Sequence, residues 1–186
     1  MPNSISFSCA ATLIWCFSSL LLHSYSSSAP YSNETDHLAL LAIRSHFHDP
    51  IGFTTSLNNS INLGQWTGVT CAHRHQKVTK LDLRKYQSLR GFLSPYVGNL
   101  SFLRHINIAD NSFHGEIPRE IGNLFRLETL MITDNSFSGL MPTNLSRCSN
   151  LIAFHANNNK LAGEIPEEIG CLFKLQKLSI RRNLLT

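Results

Sequence analysis

From residue 78 to the end of the chain, apolar and polar positions recur with a step of 24 residues. Within one unit, Ile106 and Ile108 alternate with polar residues, which is the pattern of a β-strand with one buried face. A single unit cannot bury this face alone, so neighbouring units must stack. The pattern therefore predicts an α/β solenoid in which each unit adds one short strand to a parallel sheet. The step is shown by Gly91, Gly115, Gly139, Gly163, Leu103, Leu127, Leu151 and Leu175.

An asparagine, a glycine and a proline follow each predicted strand at fixed positions. An Asn amide both donates and accepts hydrogen bonds, and the buried backbone groups of stacked turns need such partners. The glycine permits a left-handed bend, and the proline cannot donate to a sheet. The first unit is one residue longer than the others, which predicts a bulged loop after Leu83. We predict a structural ladder formed by Asn111, Asn135, Asn159 and Asn183.

Residues 1–29 have the pattern of a secretory signal peptide, because an apolar run over residues 9–22 precedes small residues that end at Ala29. The run is shorter than the roughly 20 residues that a membrane-spanning helix needs. An N-terminal membrane anchor is the alternative. Cleavage is expected between Ser26 and Ala29. In a secretory compartment the N-x-[ST] sequons become candidate glycosylation sites, and they lie at Asn33, Asn58, Asn99 and Asn144.

Residues 30–77 are expected to form a helical cap that covers the first unit. Three apolar residues with helical spacing would face that unit: Leu40, Ile43 and Phe47. Thr35 or Asp36 could cap the start of this helix, and Asp49 with Pro50 would end it. Trp66 is expected to pack beneath the helix as a core residue, because burial of its large apolar ring stabilises the fold. The alternative is that Trp66 is a binding residue.

The repeated unit, written LxxLxLxxNxLxGxIPxxIGxL, resembles the plant-specific class of leucine-rich repeat. The segments NETDHLALLAIRSHF, WTGVTC and VTKLDL are similar to the N-terminal cap of plant receptor-like kinase ectodomains, in particular the group that contains the flagellin and elongation-factor-Tu receptors. The resemblance implies a right-handed leucine-rich-repeat superhelix over residues 78–186, with the parallel sheet on its concave face. Four repeats are complete and the fifth is incomplete, so the chain resembles an N-terminal ectodomain fragment.

The sequence departs from the family pattern at two cysteine positions. The family cap carries Cys-x-Trp-x-Gly-Val-x-Cys, but Gly64 stands at the first cysteine, so Cys71 lacks the disulfide partner that the resemblance implies. Cys171 replaces the asparagine that earlier units have at the same place. The sequence ends at Thr186, before the transmembrane segment and the Ser/Thr kinase domain of full-length family members.

No catalytic residue, metal or cofactor is predicted. A kinase needs a Gly-rich phosphate loop, a catalytic-loop Asp and a metal-binding Asp, and none of these motifs appears. Glu167 and Glu168 are expected to be a solvated acidic pair rather than a glycosidase dyad. The 16 Lys and Arg are scattered and the net charge is only +4, so nucleic acid is not an expected partner. One cluster of potential metal ligands lacks the spacing of a zinc site, so we expect a solvated cap loop there instead of a metal site. The cluster consists of Cys71, His73 and His75, with His46 and His48 upstream.

Residues that alternate with the core positions are expected to face outward from the concave sheet, where stacking turns them into columns. The expected partners are a peptide or protein ligand, extended along these columns, and a co-receptor. The alternative is that these early repeats are scaffold and the ligand lies on later ones. The candidate ligand-binding residues are Asp82, Arg84, His105, Asn107, Met131, Thr133, His155, Asn157, Lys177, Ser179 and Arg181. A further column holds Asp110, Asp134, Asn158 and Arg182.

Together these features predict an extracellular protein or peptide recognition module of a cell-surface receptor-like protein, with an immune or developmental role and no enzymatic activity. The expected location is the secretory pathway and then the extracellular space or the outer face of the plasma membrane. Attachment to the membrane would need a C-terminal part that this sequence lacks. Two rival interpretations are a secreted inhibitor resembling polygalacturonase-inhibiting proteins and a non-functional receptor fragment.

Overall fold

The computed structural model describes residues 34–49, 63–84 and 89–186. The predicted signal peptide, the sequons at Asn33 and Asn58, and most of the predicted bulged loop after Leu83 lie outside these ranges. The described chain begins with helix α1 (Glu34–Arg44). The strands that follow are β1 (Phe47–His48), β2 (Val69–Cys71), β3 (Val78–Asp82), β4 (Arg90–Gly91), β5 (His105–Asn107), β6 (Ser112–Gly115), β7 (Thr129–Met131), β8 (Ser136–Leu140), β9 (Ala153–His155), β10 (Lys160–Gly163), β11 (Lys177–Ser179) and β12 (Leu184–Leu185).

The strands form two ribbons, which we call the concave sheet and the second sheet. The concave sheet has the order β11-β9-β7-β5-β3-β2, and the second sheet has the order β1-β4-β6-β8-β10-β12. Neighbouring repeats pair in parallel, whereas the cap strands β2 and β1 pair antiparallel with β3 and β4. The leucine-rich-repeat solenoid with a helical cap and a parallel concave sheet is therefore confirmed.

The expectation of one strand per repeat was wrong, because each complete repeat contributes two. The second strand is only two to five residues long. In β6, β8 and β10 it buries one large side chain each, namely Phe113, Phe137 and Leu161. One buried residue cannot establish a period of two, so the sequence gives no strand signal there. Phe113 and Phe137 stack with their ring centroids 6.3 Å apart, which links two repeats through this second sheet.

A short 3-10 helix closes each coil between its second strand and the next repeat. Pro118 stands at the N-cap of one of them with φ −65°, and the backbone N–H of Leu124 donates to Ile121 O at its end. Ile121 and Leu124 are buried, three residues apart, as the three-residue turn of a 3-10 helix requires. The IPxxIGxL part of the motif thus encodes this helix. These helices span Pro95–Asn99, Arg119–Asn123, Thr143–Arg147 and Glu167–Cys171, and a further 3-10 helix, Leu63–Gln65, lies in the cap before β2.

The cap helix differs from the sequence prediction at both ends. It begins at Glu34, so Thr35 and Asp36 lie inside its first turn and neither caps it. It ends at Arg44, and Phe47 belongs to β1 instead, where it pairs with Gly91. A Cβ at Gly91 would clash with the carbonyl oxygen of His46, so β1 can approach β4 only because that position is glycine. Strand pairing therefore outcompetes the last helical turn.

The cap is anchored by a buried carboxylate and a buried indole. Asp36 is 1% exposed; its Oδ2 accepts from the backbone N–H of Val78 at 2.8 Å, and its Oδ1 lies 3.1 Å from Lys77 Nζ. Trp66 is 1% exposed and packs edge-to-face with His37, with the centroids 5.2 Å apart. The Asp36 contacts join α1 to the start of β3, the first strand of the repeat array, and the Trp66 contact joins α1 to the cap segment before β2.

Candidate functional site

The register of the concave sheet brings the predicted columns together. The central residues of neighbouring strands pair with each other and are buried in the core, as Leu81, Ile106 and Leu130 show. Since side chains alternate along a strand, their neighbours face away from the core. One column pairs Lys80, His105, Thr129, Ala153 and Lys177. The next pairs Asp82, Asn107, Met131, His155 and Ser179.

The pairing continues past the strands into the turn. The N–H of Asp110 donates to Thr133 O at 3.0 Å, and the N–H of Asp134 donates to Asn157 O at 3.0 Å. The backbone of each turn is therefore fixed by the next repeat, and side chains there stay in register. This places Arg84, Ala109, Thr133, Asn157 and Arg181 beside Asp110, Asp134, Asn158 and Arg182.

Four turn residues adopt a left-handed backbone that the repeat spacing does not indicate. Asp110 has φ 56° and Asp134 has φ 54°. Asn and Asp tolerate this region better than most residues, but an arginine at the fourth position is unusual. The predicted columns include these residues, and the carboxylates of Asp110 and Asp134 contact Arg84 and Asn158 of the neighbouring repeats. The four are Asp110, Asp134, Asn158 and Arg182.

Charged groups on this surface pair across repeats in contact with solvent. Arg84 Nε donates to Asp110 Oδ2 at 2.8 Å, Arg104 pairs with Glu128, and the amide of Asn158 donates to Asp134. Exposed pairs of this kind contribute about 0 to 1 kcal/mol each. They can therefore exchange their partners for charged groups of a ligand at little cost.

Asn157 connects two repeats through one side-chain oxygen. Its Oδ1 accepts from Ser179 Oγ at 3.0 Å and from the backbone N–H of Arg181 at 2.7 Å. His105 Nδ1 and Thr129 Oγ1, 2.7 Å apart, link neighbouring repeats in the same way. These contacts hold the polar side chains in fixed positions, which reduces the entropy that a ligand must overcome on binding.

A shallow depression of about 260 Å³ lies at the centre of the concave columns. Its size falls below the roughly 300–1,000 Å³ of small-molecule sites, so its shape favours one or two side chains of an extended ligand. Met131 is its one large apolar side chain, surrounded by donors and acceptors. The lining residues are Arg84, Asn107, Ala109, Asp110, Met131, Thr133, Asp134, His155 and Asn157.

A larger depression of about 660 Å³ lies between the second sheet and the 3-10 helices. Phe92, Leu140 and Met141 contribute to its mainly apolar wall. Similar gaps are expected wherever coils diverge on the side opposite a curved sheet. We favour the concave depression as the candidate site, because polar groups from four repeats converge there.

The Asn ladder residues face the interior of the turns rather than the concave surface. Asn135 Nδ2 donates to Ile108 O at 2.9 Å, to Ile132 O at 3.2 Å and to Thr133 O at 3.1 Å. Its Oδ1 accepts from the N–H of Phe113 at 2.9 Å. Asn111, Asn159 and Asn183 repeat this arrangement one coil apart.

The cysteines of the described chain are free and lie in different environments. Burial raises the pKa of the Cys148 thiol to about 12, and its Sγ lies 3.1 Å from Ile121 O. Burial, and secondarily the charge of Asp36, raises the pKa of Cys71. Cys171 is exposed. Over the described ranges, no three His, Cys, Asp or Glu side chains are grouped so that they could hold a metal ion.

The two described sequons have different surroundings. Asn99 is exposed at the end of the 3-10 helix Pro95–Asn99. Asn144 is half-buried, and its backbone and Cβ lie against Gly122 of the preceding repeat.

The predicted acidic pair, Glu167 and Glu168, is exposed on the last 3-10 helix. None of the described helices has the length and hydropathy that spanning a bilayer requires.

Stacked 24-residue coils, an Asn ladder and a helical cap define the class of this protein as a leucine-rich-repeat solenoid. The family model described as leucine rich repeat N-terminal domain matches residues 33–72, and the one described as Leucine Rich Repeat matches residues 102–124 and 126–148. In sequence and in fold the chain is similar to the ectodomains of plant leucine-rich-repeat receptor kinases.

Individual relatives show how far this match extends. The LRR receptor-like serine/threonine-protein kinase EFR of Arabidopsis thaliana is 44% identical over 94 residues, which are 50% of this chain and 9% of that protein. The chain spans about a tenth of the length of the curated relatives that it matches.

Two solved structures from Arabidopsis thaliana share the fold. A chain of the BIR3–SERK2 complex superposes with a TM-score of 0.75 and 29% identity, covering 81% of this chain and 83% of that one. The ectodomain of the receptor kinase GASSHO1/SCHENGEN3, in complex with CASPARIAN STRIP INTEGRITY FACTOR 2, has a TM-score of 0.76 and 30% identity, covering 80% of this chain and 18% of that one.

Proposed function

We propose that this chain is the N-terminal part of a plant cell-surface receptor ectodomain that binds an extended peptide or protein segment along the concave sheet. Residues 1–29 direct it into the secretory pathway, residues 30–77 form the cap and residues 78–186 the repeats. The chain acts by binding and has no enzymatic step of its own. Its role is in signalling, immune or developmental.

The single observation that carries this proposal is the register of the concave sheet. The apolar residues Ile106, Leu130 and Phe154 at the centres of β5, β7 and β9 are buried in the core, so the columns on either side of them remain for recognition. The columns run across the strands for five repeats, which matches the length of an extended peptide better than a compact ligand. Similarity to the plant peptide hormone receptor RGFR1, solved in complex with RGF2, supports a peptide as the ligand, and similarity to a chain of the BIR3–SERK2 complex supports assembly with a partner protein.

The charges of the columns indicate how a ligand would be oriented. Lys177, Arg181 and Arg182 make the end near β11 basic, whereas Asp110 and Asp134 make the centre acidic. A ligand with an acidic group at one end and a basic group several residues away would complement both regions. Met131, between them, would pack against an apolar side chain of the ligand.

The test is a selection of linear peptides from a random display library on the purified, secreted full chain, followed by affinity measurements on two matched variants. His155→Ala with Arg181→Ala removes two concave side chains. His114→Ala with Arg119→Ala removes the same two residue types from exposed positions outside the concave sheet.

We expect the concave pair to weaken binding of the selected peptides by about tenfold or more, equivalent to about 1.4 kcal/mol. The control pair should leave affinity within a factor of about two. Peptides that bind equally well to the concave variant, or that lose affinity only with the control pair, would show that the concave columns are scaffold. The same two pairs can then be placed in a complete receptor.

A further inference from the structure

An exposed apolar groove lies between the cap helix and the first repeat, on the side away from the concave columns. Its volume is about 540 Å³, and Thr35, Leu38, Ala39, Tyr96, Asn99 and Ser101 line it. Leu38 is 61% exposed and Tyr96 is 51% exposed, although the two elements that carry them, α1 and the 3-10 helix Pro95–Asn99, pack against each other. These two exposed apolar side chains offer a contact surface to any group that is attached beside them.

The groove contains its own modification signal. Asn99 and Ser101 are the first and third residues of the sequon Asn99-Leu100-Ser101, and both side chains line the groove. Leu100 between them is fully buried, so the chain is held with the Asn and Ser side chains on the exposed side. Within the described residues, the Asn99 amide donates no hydrogen bond that a glycan would have to displace.

The local helix places an aromatic residue on the same side as the asparagine of the sequon. Tyr96 and Asn99 are three residues apart in the 3-10 helix Pro95–Asn99. A 3-10 helix has three residues per turn, so side chains at i and i+3 lie one above the other. Tyr96 and Asn99 therefore lie on the same side of the helix and line the same groove, which puts the phenol ring within reach of the C–H face of a pyranose ring attached to Asn99.

The later repeats lack this combination. The residues at the same position as Asn99 are Asn123, Arg147 and Cys171, and Glu120 stands where Tyr96 does in the next repeat. Asn123 is exposed but is followed by Leu124 and Phe125, so it is not a sequon. The pairing of an aromatic residue with a sequon thus occurs in the repeat that adjoins the cap.

We propose that Asn99 carries an N-linked glycan whose first N-acetylglucosamine occupies this groove and covers Leu38 and Tyr96, joining the cap to the first repeat. The donor is a polyprenyl-diphosphate-linked oligosaccharide. Asn99 Nδ2 attacks the anomeric carbon, a C–N bond forms, the bond from that carbon to the diphosphate oxygen breaks, the polyprenyl diphosphate leaves and one amide proton is released. This inference rests on the secretory location that belongs to the proposed function.

The test uses the full chain behind a heterologous secretion leader in insect cells, so that entry into the pathway does not depend on residues 1–29. Glycopeptide mass spectrometry should find Asn99 occupied in the secreted protein. Secretion of the chain with Asn99 unmodified would overturn the inference. Failure of the chain's own N-terminus to direct secretion would instead count against the proposed location and leave the Asn99 result intact.

Occupancy alone does not show that the sugar fills the groove, so a coupling measurement is needed. Trimming the glycan to its first sugar should leave the melting temperature unchanged, whereas Asn99→Gln should lower it by about 2 to 4 °C and raise the binding of a hydrophobic dye. Asn144→Gln is the matched control, because it removes a sequon distant from Leu38 and Tyr96, and it should not raise dye binding.

The contact with Tyr96 is tested by a double-mutant cycle. Tyr96→Ala should lower the melting temperature of the glycosylated chain but have little further effect once Asn99→Gln has removed the sugar. Additive effects of the two substitutions would show that the glycan does not contact the ring. Phe125→Ser, which completes a sequon at Asn123, tests specificity, because a glycan there should not show coupling to Tyr96.

Discussion

Replacing Asn159 by alanine tests whether the Asn ladder stabilises the stacked turns. The Asn159 side chain is 8% exposed; its Nδ2 donates to Ile132 O at 2.9 Å and to Asn157 O at 3.1 Å. Its Oδ1 accepts from the buried N–H of Phe137 at 2.9 Å. Alanine removes all of these bonds without changing the apolar core.

The structure shows which of the lost partners carries the cost. Ile132 O keeps a second donor, Asn135 Nδ2, so that carbonyl group stays paired. The N–H of Phe137 has no such replacement, and a buried unpaired donor costs about 1 to 3 kcal/mol. With a net contribution of about 1 kcal/mol from the remaining bonds, Asn159→Ala should lower the free energy of unfolding by about 2 to 4 kcal/mol.

Urea unfolding of the secreted full chain, followed by circular dichroism, measures this loss. Asn159→Asp separates hydrogen bonding from size, because its carboxylate can accept from Phe137 but cannot donate to the carbonyl groups. It should be at least as unstable as the alanine variant at pH 7 and should recover part of the loss at low pH, where the protonated carboxyl group gains a donor.

Asn123→Ala, at an exposed asparagine, is the control and should change the free energy of unfolding by less than about 0.5 kcal/mol. If Asn159→Ala proved as stable as this control, the ladder would not be what satisfies the buried backbone of the turns.

Three further predictions concern the cap, the thiols and the turns. Asp36→Ala should destabilise the chain by about 3 kcal/mol, because Val78 N–H and Lys77 lose a buried partner; unchanged urea unfolding would contradict this. Iodoacetamide at pH 8 should modify the exposed Cys171 but should not modify Cys148 until the chain unfolds, because burial raises the pKa of the Cys148 thiol to about 12. Since the folded state holds that proton more tightly, the associated stability is present below pH 9 and is lost as the pH rises towards 12; Cys148→Ala should remove this alkaline loss. Asp134→Val should cost about 1 to 3 kcal/mol because φ is 54° there, whereas an equal loss in Asp134→Gly would show that the backbone strain is not the cause.

The sequence predicted the concave sheet well because its signal is long and repeated. The register that pairs Asn107 with Met131 and His155 follows from a 24-residue step that recurs without insertion. The second sheet was not predicted, because strands such as β6 bury one large residue each and lack a period. Phe47 was assigned to the helix because its spacing fits one, and the glycine at position 91 that draws it into a strand lies 44 residues away.

The candidate site was predicted in part for the same physical reason. Column membership depends only on register, which the repeat encodes. The buried acceptor role of Asp36 depends on a contact with Val78, 42 residues away. The positive φ of Asp110 and Asp134 accompanies hydrogen bonds between turns. The 24-residue spacing indicates neither those bonds nor the contact of Asp36.

Site-specific photocrosslinking tests the central claim, that ligands lie on the concave columns, most directly. A photoreactive benzoylphenylalanine replaces Met131, at the centre of the concave sheet, or Leu140, which is 67% exposed on the second sheet. Each variant is irradiated with a peptide selected on the unmodified chain. The account predicts a covalent adduct at position 131 and none at position 140. An adduct at position 140 with none at position 131 would contradict it.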